Sequence, residues 1–344
     1  MQPIQNKIEI AKEGGLGQME TCSASHNQTL STSSIAALPP DTAAKATQHI
    51  SVCICTYKRP QLLRRLLGEL ADQETSGLFK YSIVVADNDQ LRSAEAVVKD
   101  FAGVAPNIPV KYCEQPQQNI SLTRNKAIEN ATGDFIAFID DDEFPTKRWL
   151  LTLFEACNRF NVDGVLGPVK RYFDEKPPEW LRKSQIYERP VYATGSVLDK
   201  KDGRTGNVLL RKQLFASGED PFRPEFTGGS DKDFFIRMME KGYRFIWCAD
   251  AVAYEVVPPF RWKRTFMLRK ALFRGAIAPR HSTFGPRNIA KSLVAVPAYI
   301  FALPFALMLG QHRFMDLAVK LFHHLGMLLA LVGITPVSGQ YVVE

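Results

Sequence analysis

Residues 50–56, ISVCICT, form an almost uninterrupted apolar run. A strand of this composition has no face to offer to water. It belongs inside a sheet covered by helices on both sides, the usual setting of a parallel strand. The next 110 residues or so repeat the theme. Pro60 opens a helix with Leu62, Leu63, Leu66, Leu67 and Leu70 on one stripe. A strand is predicted over 81–89 (YSIVVADND), a helix over 94–101, a short strand over 110–113, and a helix over 121–132. Ser121 is the expected N-cap of that helix and Gly133 its stop. A strand at 135–139 and a helix at 149–160 complete the pattern. Alternating β and α elements predict an α/β fold with a mostly parallel central sheet. The second half is more mixed: a strand near 164–169, a Pro-rich excursion through Pro177, Pro178 and Trp180, a strand at 207–210, a helix at 230–241 and a strand at 244–247.

Charge divides the chain differently. Of the net +7, nine Lys and Arg with no Asp or Glu fall within 256–291, leaving −2 for everything else. Residues 292–311 then carry no charge at all, and 321–343 contain no Lys, Arg, Asp or Glu. A basic block followed by apolar segments is the cytoplasmic-side signature of contact with an anionic membrane surface. Nucleic acid is the weaker partner, because no zinc finger, helix-turn-helix or RNP-type pattern surrounds the block. Pro297 and Pro304 lie seven residues apart, on one helix face, and each removes a backbone donor. Two short spans, a re-entrant or surface-lying hairpin, and a soluble hydrophobic C-terminal subdomain all fit. Residues 1–48 have no apolar h-region, so no signal peptide is expected, and with no aromatic residue they read as a disordered tail. The organisation expected is therefore a tail (1–48), a catalytic domain (49–257, dividing near 143), a basic juxtamembrane segment (258–291) and a hydrophobic membrane-associating pair of helices (292–344). The six Cys form no CxxC or Cys/His zinc spacing, and Cys53 and Cys55 read as core residues.

In an open α/β sheet a ligand sits beyond the carboxyl ends of the strands. Here those ends are polar: Thr56-Tyr57-Lys58-Arg59, Asp87-Asn88-Asp89, Glu114 and the loop to Asn119, and Asp140-Asp141-Asp142-Glu143. Four acids after an apolar strand repel one another unless something positive is bound. Oxygen donors with an open coordination sphere suit Mg2+ or Mn2+ bridging a substrate's phosphates. Arg124, in the first turn of the helix after Ser121, is a candidate for the anion on the other side. Neither GxxxxGK[ST] nor GxGxxG occurs, which argues against P-loop and classical dinucleotide folds.

CTYKRP, VVADND, NISLTRNKAIENATGDFIAFIDDDEFPTKRWL, TGNVLL and GGSDKDFFIRMMEKGYRFIW occur in that order. In these segments the chain resembles the family 2 glycosyltransferases, inverting enzymes of the GT-A fold, over roughly 50–275. The DDDEFP…WL and FRW…LRKALFRG segments look most like the bacterial succinoglycan-type exopolysaccharide glucosyltransferases. The resemblance implies a nucleotide-diphosphate sugar as donor, UDP-glucose above all, and a polyprenyl-diphosphate-linked acceptor at the cytoplasmic leaflet. It implies that Thr56, Tyr57 and Arg59 line the nucleotide pocket with Asp89 and Asn119, that Asp87 accepts from the base, and that Arg124 meets the diphosphate. Asp140, Asp141 and Asp142 become the DXD segment, with Asp140 and Asp142 at the metal and Asp142 the more direct ligand. Asp231 matches the general base, although Ser230 stands where the family has Glu. Only Arg261-Trp262 remains of the QxxRW motif of processive synthases, which favours single-sugar addition.

Two other readings bear on the same residues. Ser230 and Asp233 have the spacing of a capping box, and Asp231 at a helix N-terminus is favourable to the dipole. A sugar-phosphate nucleotidylyltransferase would need a Gly-rich loop after the first strand, which is absent. A non-catalytic, membrane-tethered sugar or nucleotide binder on the same fold would not need the acids or Asp231.

Overall fold

The structure, a computed structural model, describes residues 47–334 apart from Ser217 and Thr227. The expected tail thus lies outside the described residues except at its last two positions, as do residues 335–344 of the last apolar segment.

The first apolar run is β1 (Gln48–Thr56), followed by α1 (Pro60–Ala71), β2 (Phe79–Asp87), α2 (Glu95–Val104), β3 (Val110–Glu114), α3 (Ile120–Glu129) and β4 (Phe135–Phe138). Then come β5 (Glu143–Pro145), α4 (Trp149–Arg159), β6 (Gly164–Leu166), β7 (Val169–Tyr172), α5 (Glu179–Lys183), β8 (Val208–Arg211), α6 (Ser230–Glu240), β9 (Phe245–Trp247) and β10 (Ala253–Val256). Helices α7 (Arg264–Ile277), α8 (Pro286–Met308) and α9 (Gln311–Leu331) close the described chain.

Seven strands make the main sheet in the order β3-β2-β1-β4-β8-β6-β9. The β3-β2-β1-β4 half is wholly parallel, and β8 runs antiparallel to both its neighbours. β1 is buried on both faces, as its composition requires. Ile50, Val52 and Ile54 pack under α1, α2 and α4, while Cys53 faces the layer of α3 and α6 with Phe222 and Phe234. A smaller sheet, β5-β10-β7, lies beside this one.

Three local expectations are corrected. The cap of α3 is Asn119, whose Oδ1 accepts from the Ser121 and Leu122 amides at 2.8 and 3.4 Å, while Ser121 Oγ donates to the Phe226 carbonyl. Gly133 does not stop the helix, which ends at Glu129. It is glycine because a Cβ there would come within 2.6 Å of Ser51 N. The predicted strand 164–169 is two strands in different sheets. Pro168 has no amide to donate, and a Cβ on Gly167 would lie 2.2 Å from the Ala251 carbonyl.

Helices α8 and α9 are long and apolar enough to cross a membrane. At 1.5 Å per residue they reach about 34 and 31 Å against a hydrocarbon core of about 30 Å. Only 11% of the apolar window of α8 is buried, against 33% for α9. Phe301, Phe305, Leu307 and Met308 all stand exposed on α8. α8 runs through Pro297 and Pro304. α9 is tied to α7 by backbone contact at two glycines. A Cβ on Gly275 would lie 2.0 Å from the His323 carbonyl, and one on Gly326 would lie 2.1 Å from that of Leu272.

That contact generates a stability expectation. Gly275→Val forces the helices apart and costs about 1–3 kcal/mol, the usual range for overpacking. Thermal unfolding of the full chain in detergent, together with limited proteolysis between α8 and α9, measures it. An unchanged melting temperature would contradict the described crossing.

Candidate active site

β1 pairs with β2 on one side and β4 on the other, so the order of the parallel half reverses beside β1. A crevice opens at such a point because the connections leave in opposite directions. The cleft found there is lined by Thr56, Tyr57 and Arg59 after β1, by Thr123 and Arg124 from α3, and by Asp140, Asp141 and Asp142 after β4. Lys58 turns the chain into it with a left-handed φ of 53°.

Most of the acids are already engaged. Thr56 Oγ1 donates to Asp141 Oδ2 at 2.9 Å, and Arg59 Nη1 donates to Asp141 Oδ1 at 3.0 Å. Asp142 Oδ2 accepts from Arg261 Nη2 at 2.5 Å and from Arg59 Nη1 at 3.4 Å. Arg261 Nη1 continues to Glu255 at 3.1 Å, and Arg189 meets the same carboxylate at 2.6 Å. Burial works to raise the Asp142 pKa, but Arg261 and Arg59 outweigh it and hold it below the usual range. Asp141 is pushed up to about 6 by burial, against the pull of Arg59.

Asp140 differs. It is open to the cleft, and its carboxylate has no hydrogen-bond partner among the described residues. Its surroundings, followed by the Asp142 charge, push it up to about 7. Buried Glu143 is raised as well, by burial and then by Asp140, and its Oε2 accepts from the Asp140 amide at 3.3 Å. Gly206 allows this crowding, since a Cβ there would lie 2.8 Å from Glu143 Oε1 and 3.2 Å from Asp140 Oδ2.

An open carboxylate among acids, with its proton affinity raised, marks a place short of positive charge. Its hard oxygens fit Mg2+ or Mn2+. Among the described residues no group of three or more His, Cys, Asp or Glu side chains converges as a metal cage. The arginines engage Asp142, whereas the Asp140 carboxylate is the more exposed of the two.

Asp87 and Asn119 are also committed inside the chain. The Asp87 carboxylate is fully buried and accepts from the Asp89 amide, the Ala94 amide and the Tyr112 hydroxyl at 3.0, 2.9 and 3.1 Å. Burial still leaves its pKa raised. It shapes the turn that carries Asn88 and Asp89, and Asp89 Oδ1 in turn accepts from the Leu91 amide. Asn119 caps α3 with its oxygen and donates to the Pro224 carbonyl with its nitrogen at 2.8 Å. Neither side chain lines the cleft, whereas Asn88 does.

A second cavity shares Arg124, Asp140 and Asp142 with this cleft and extends to Asp231, Arg204, Lys270 and Arg274. With Asn119 as the cap, Arg124 sits in the second turn of α3 rather than the first. Its Nη1 donates to Ser230 Oγ at 2.9 Å, at the start of α6 and next to Asp231. Gly229 precedes α6 with φ 76°, a conformation glycine adopts without strain. The capping box is not formed. Asp233 instead is clasped by Arg223 at 2.9 and 2.5 Å and by Arg237 at 2.9 Å, and Arg237 also donates to the Pro221 carbonyl.

The basic segment also departs from expectation. Arg261 is 6% exposed and bound to Asp142, and Lys270 and Arg274 line the second cavity. One signal was available. Lys270 and Arg274 share the i, i+3, i+4, i+7 stripe of buried Met267, Ala271 and Ile277. Asn207, fully buried, was also missed as a keystone. It accepts from Trp149 Nε1 at 2.7 Å and donates to the Pro168 and Ala251 carbonyls at 2.8 and 2.7 Å.

Comparison with known proteins agrees with this arrangement. A sequence model of the family described as Glycosyl transferase family 2 matches residues 51–216. Over 310 residues the chain is 32% identical to the succinoglycan biosynthesis protein ExoM of Rhizobium meliloti (strain 1021), covering 86% of this chain and 96% of that protein. It is 26% identical over 251 residues to the chondroitin synthase of Escherichia coli, covering 63% of this chain and 36% of the other. Among solved structures it resembles in fold the mannosyltransferase PcManGT from Pyrobaculum calidifontis in complex with GDP-Man and Mn2+, with a TM-score of 0.53 and 16% identity over 81% of this chain and 86% of that one.

The Asp233 cluster separates structure from chemistry. Asp233→Asn keeps the volume but removes the charge shared by two arginines. Arg223 is 42% exposed, so the loss is discounted to about 1–3 kcal/mol. Urea unfolding is expected to show that loss while nucleotide affinity stays unchanged. A stable variant that no longer binds nucleotide would reverse the assignment.

Proposed function

The chain belongs to glycosyl transferase family 2, and from that membership we propose that it is an inverting, metal-dependent enzyme of exopolysaccharide synthesis. It moves one sugar, glucose from UDP-glucose, to a glycan carried on a polyprenyl diphosphate at the cytoplasmic face of the membrane. The observation that carries this reading is the continuity of two cavities through Arg124, Asp140 and Asp142, with Asp231 opening on the far one. A donor diphosphate in the first and an acceptor hydroxyl in the second would meet between them.

In this reading Thr56, Tyr57 and Arg59 hold the nucleotide, and Arg124 binds the diphosphate with charge-assisted hydrogen bonds. Asp87 and Asn119 act by holding the turn around Asn88 and Asp89 and the start of α3. Asp140 first, then Asp142 and Asp141, would hold Mg2+ or Mn2+, which when bound supplies positive charge to the leaving diphosphate. Asp231 accepts the proton of the acceptor hydroxyl as that oxygen attacks the anomeric carbon from the face opposite the leaving group. Configuration therefore inverts. The presence of Mn2+ with the PcManGT neighbour and the exposed apolar face of α8 support the metal and membrane parts of the reading.

Two measurements test it. Removing a positioned base costs about 10²–10⁴ in rate. Asp231→Asn is expected to lose at least about a hundredfold in sugar transfer from UDP-glucose while UDP binding is retained. Near wild-type transfer would place the base elsewhere, and loss of UDP binding would make Asp231 a donor ligand. For the metal, EDTA is expected to stop turnover and Mn2+ to restore it. Asp140→Asn is expected to raise the Mn2+ concentration needed for half-maximal rate by about tenfold or more, the loss of roughly one charged ligand. Full turnover in EDTA would end the metal reading.

A further inference from the structure

Lys270 and Arg274 are cations without counter-ions. Neither makes an ion pair with a carboxylate among the described residues, although both stand near several acids. Two of those acids are already spent, Glu255 shared by Arg261 and Arg189 and Asp142 by Arg59 and Arg261, which leaves Asp231 as one carboxylate facing two cations. Burial, with Arg274 and Arg261 close by, pushes the Lys270 ammonium down to about 8. The site therefore holds an excess of positive charge that the chain does not neutralise.

The surroundings say what kind of anion fits. From Asp231, Lys270 and Arg274 a further cavity of about 520 Å3 leads away from the donor cleft and shares none of Arg124, Asp140 and Asp142 with it. Its far wall is apolar, with Phe273 and Ile277 of α7, Phe284 and, on α9, Met327. Asn288, in the first turn of α8, lines it as well, so the cavity runs from the base to the two exposed apolar helices. His281, only 7% exposed, lines the same wall, and its Nδ1 has no partner among the described residues.

We propose that Lys270 and Arg274 form a second anion site, distinct from that of the donor, which holds the diphosphate of a lipid-linked acceptor while its hydrocarbon runs along Phe273, Ile277, Phe284 and Met327 toward α8 and α9. The proposal rests on the transferase reading above and adds where the acceptor's charged group docks. Two adjacent cations match a diphosphate better than a neutral glycan, and the apolar wall matches the chain attached to it. Asp231 lines the same cavity, so the acceptor sugar whose hydroxyl attacks lies close to the diphosphate.

Farnesyl diphosphate and inorganic pyrophosphate serve as probes on the full chain in neutral detergent, by titration calorimetry with and without saturating UDP and Mn2+. Farnesyl diphosphate is expected to bind while UDP is bound, and more tightly than pyrophosphate. Lys270→Gln with Arg274→Gln is expected to weaken it by about tenfold or more, the loss of charged hydrogen bonds, with UDP affinity retained as evidence of folding. Ile277→Asn is expected to weaken farnesyl diphosphate and leave pyrophosphate unchanged. Displacement of farnesyl diphosphate by UDP from the wild-type protein would assign it to the donor cleft and overturn the proposal. Equal competition by phosphatidylglycerol micelles would make the site a general headgroup contact and also overturn it. Hydrolysis of UDP-glucose by the same preparation tests the transferase reading separately. Its absence alongside intact farnesyl diphosphate binding would defeat that reading and not the anion site.

Discussion

The ion pair between Asp142 and Arg261 joins residues 119 positions apart and ties the end of the central sheet to the segment that leads into α7. Both partners are nearly buried. Two charges in that position are costly to desolvate, and removing one partner of such a pair typically costs about 3–5 kcal/mol because the other is stranded. The pair is sustained by continuation on both sides: Arg59 and Asp141 toward the cleft, and Glu255 and Arg189 toward the second cavity. The network gives each acid a partner except Asp140, and so defines by elimination where an external cation would add most.

The same network explains the placement of positive charge. Arg261 neutralises Asp142 from inside the protein and uses Glu255 in doing so. Lys270 and Arg274, one and two turns along α7 from Met267, are left with no acid of their own. Among the described residues, one bridge between the halves thus leaves Asp140 without an ion pair on the donor side and two unpaired cations facing the single carboxylate of Asp231 on the far side. Asp231 opens between them.

The parallel half was legible because a strand buried on both faces announces itself in composition alone, and its helices in their leucine stripes. The polar strand ends followed from the same reading, since a sheet of this order has only one crevice. The second half was harder. Within 164–169 the one local sign of a break is Pro168, which has no amide to donate, and the close approach of Ala251 to Gly167 comes from elsewhere in the chain. Ser230 and Asp233 have capping spacing, yet Arg223 and Arg237 offer Asp233 two guanidiniums, a stronger partner than one backbone amide. Asp87 and Asn119 have the residue types of ligands, but the folded chain uses their hydrogen-bonding capacity on its own turns. Net charge carries the sign of the basic segment, and only the helical stripe that Lys270 and Arg274 share with Met267, Ala271 and Ile277 hints at its direction.

That direction changes what the C-terminal helices are for. A basic stripe facing lipid would make α8 and α9 a tether, separable from the reaction. Here Arg261 is buried, Lys270 and Arg274 line the second cavity, and the Gly275 and Gly326 contacts hold α9 against the helix that carries those two. Backbone-to-backbone packing of this kind tolerates little relative movement, since no side chain lies between to adjust. The cavity beside Asp231 and the apolar α8 adjoin through Asn288, which lines that cavity from the first turn of α8. On the proposed reading, a bilayer that holds α8 would set the height of Asp231 above it, and with it which hydroxyls of a lipid-borne glycan come within reach of that carboxylate.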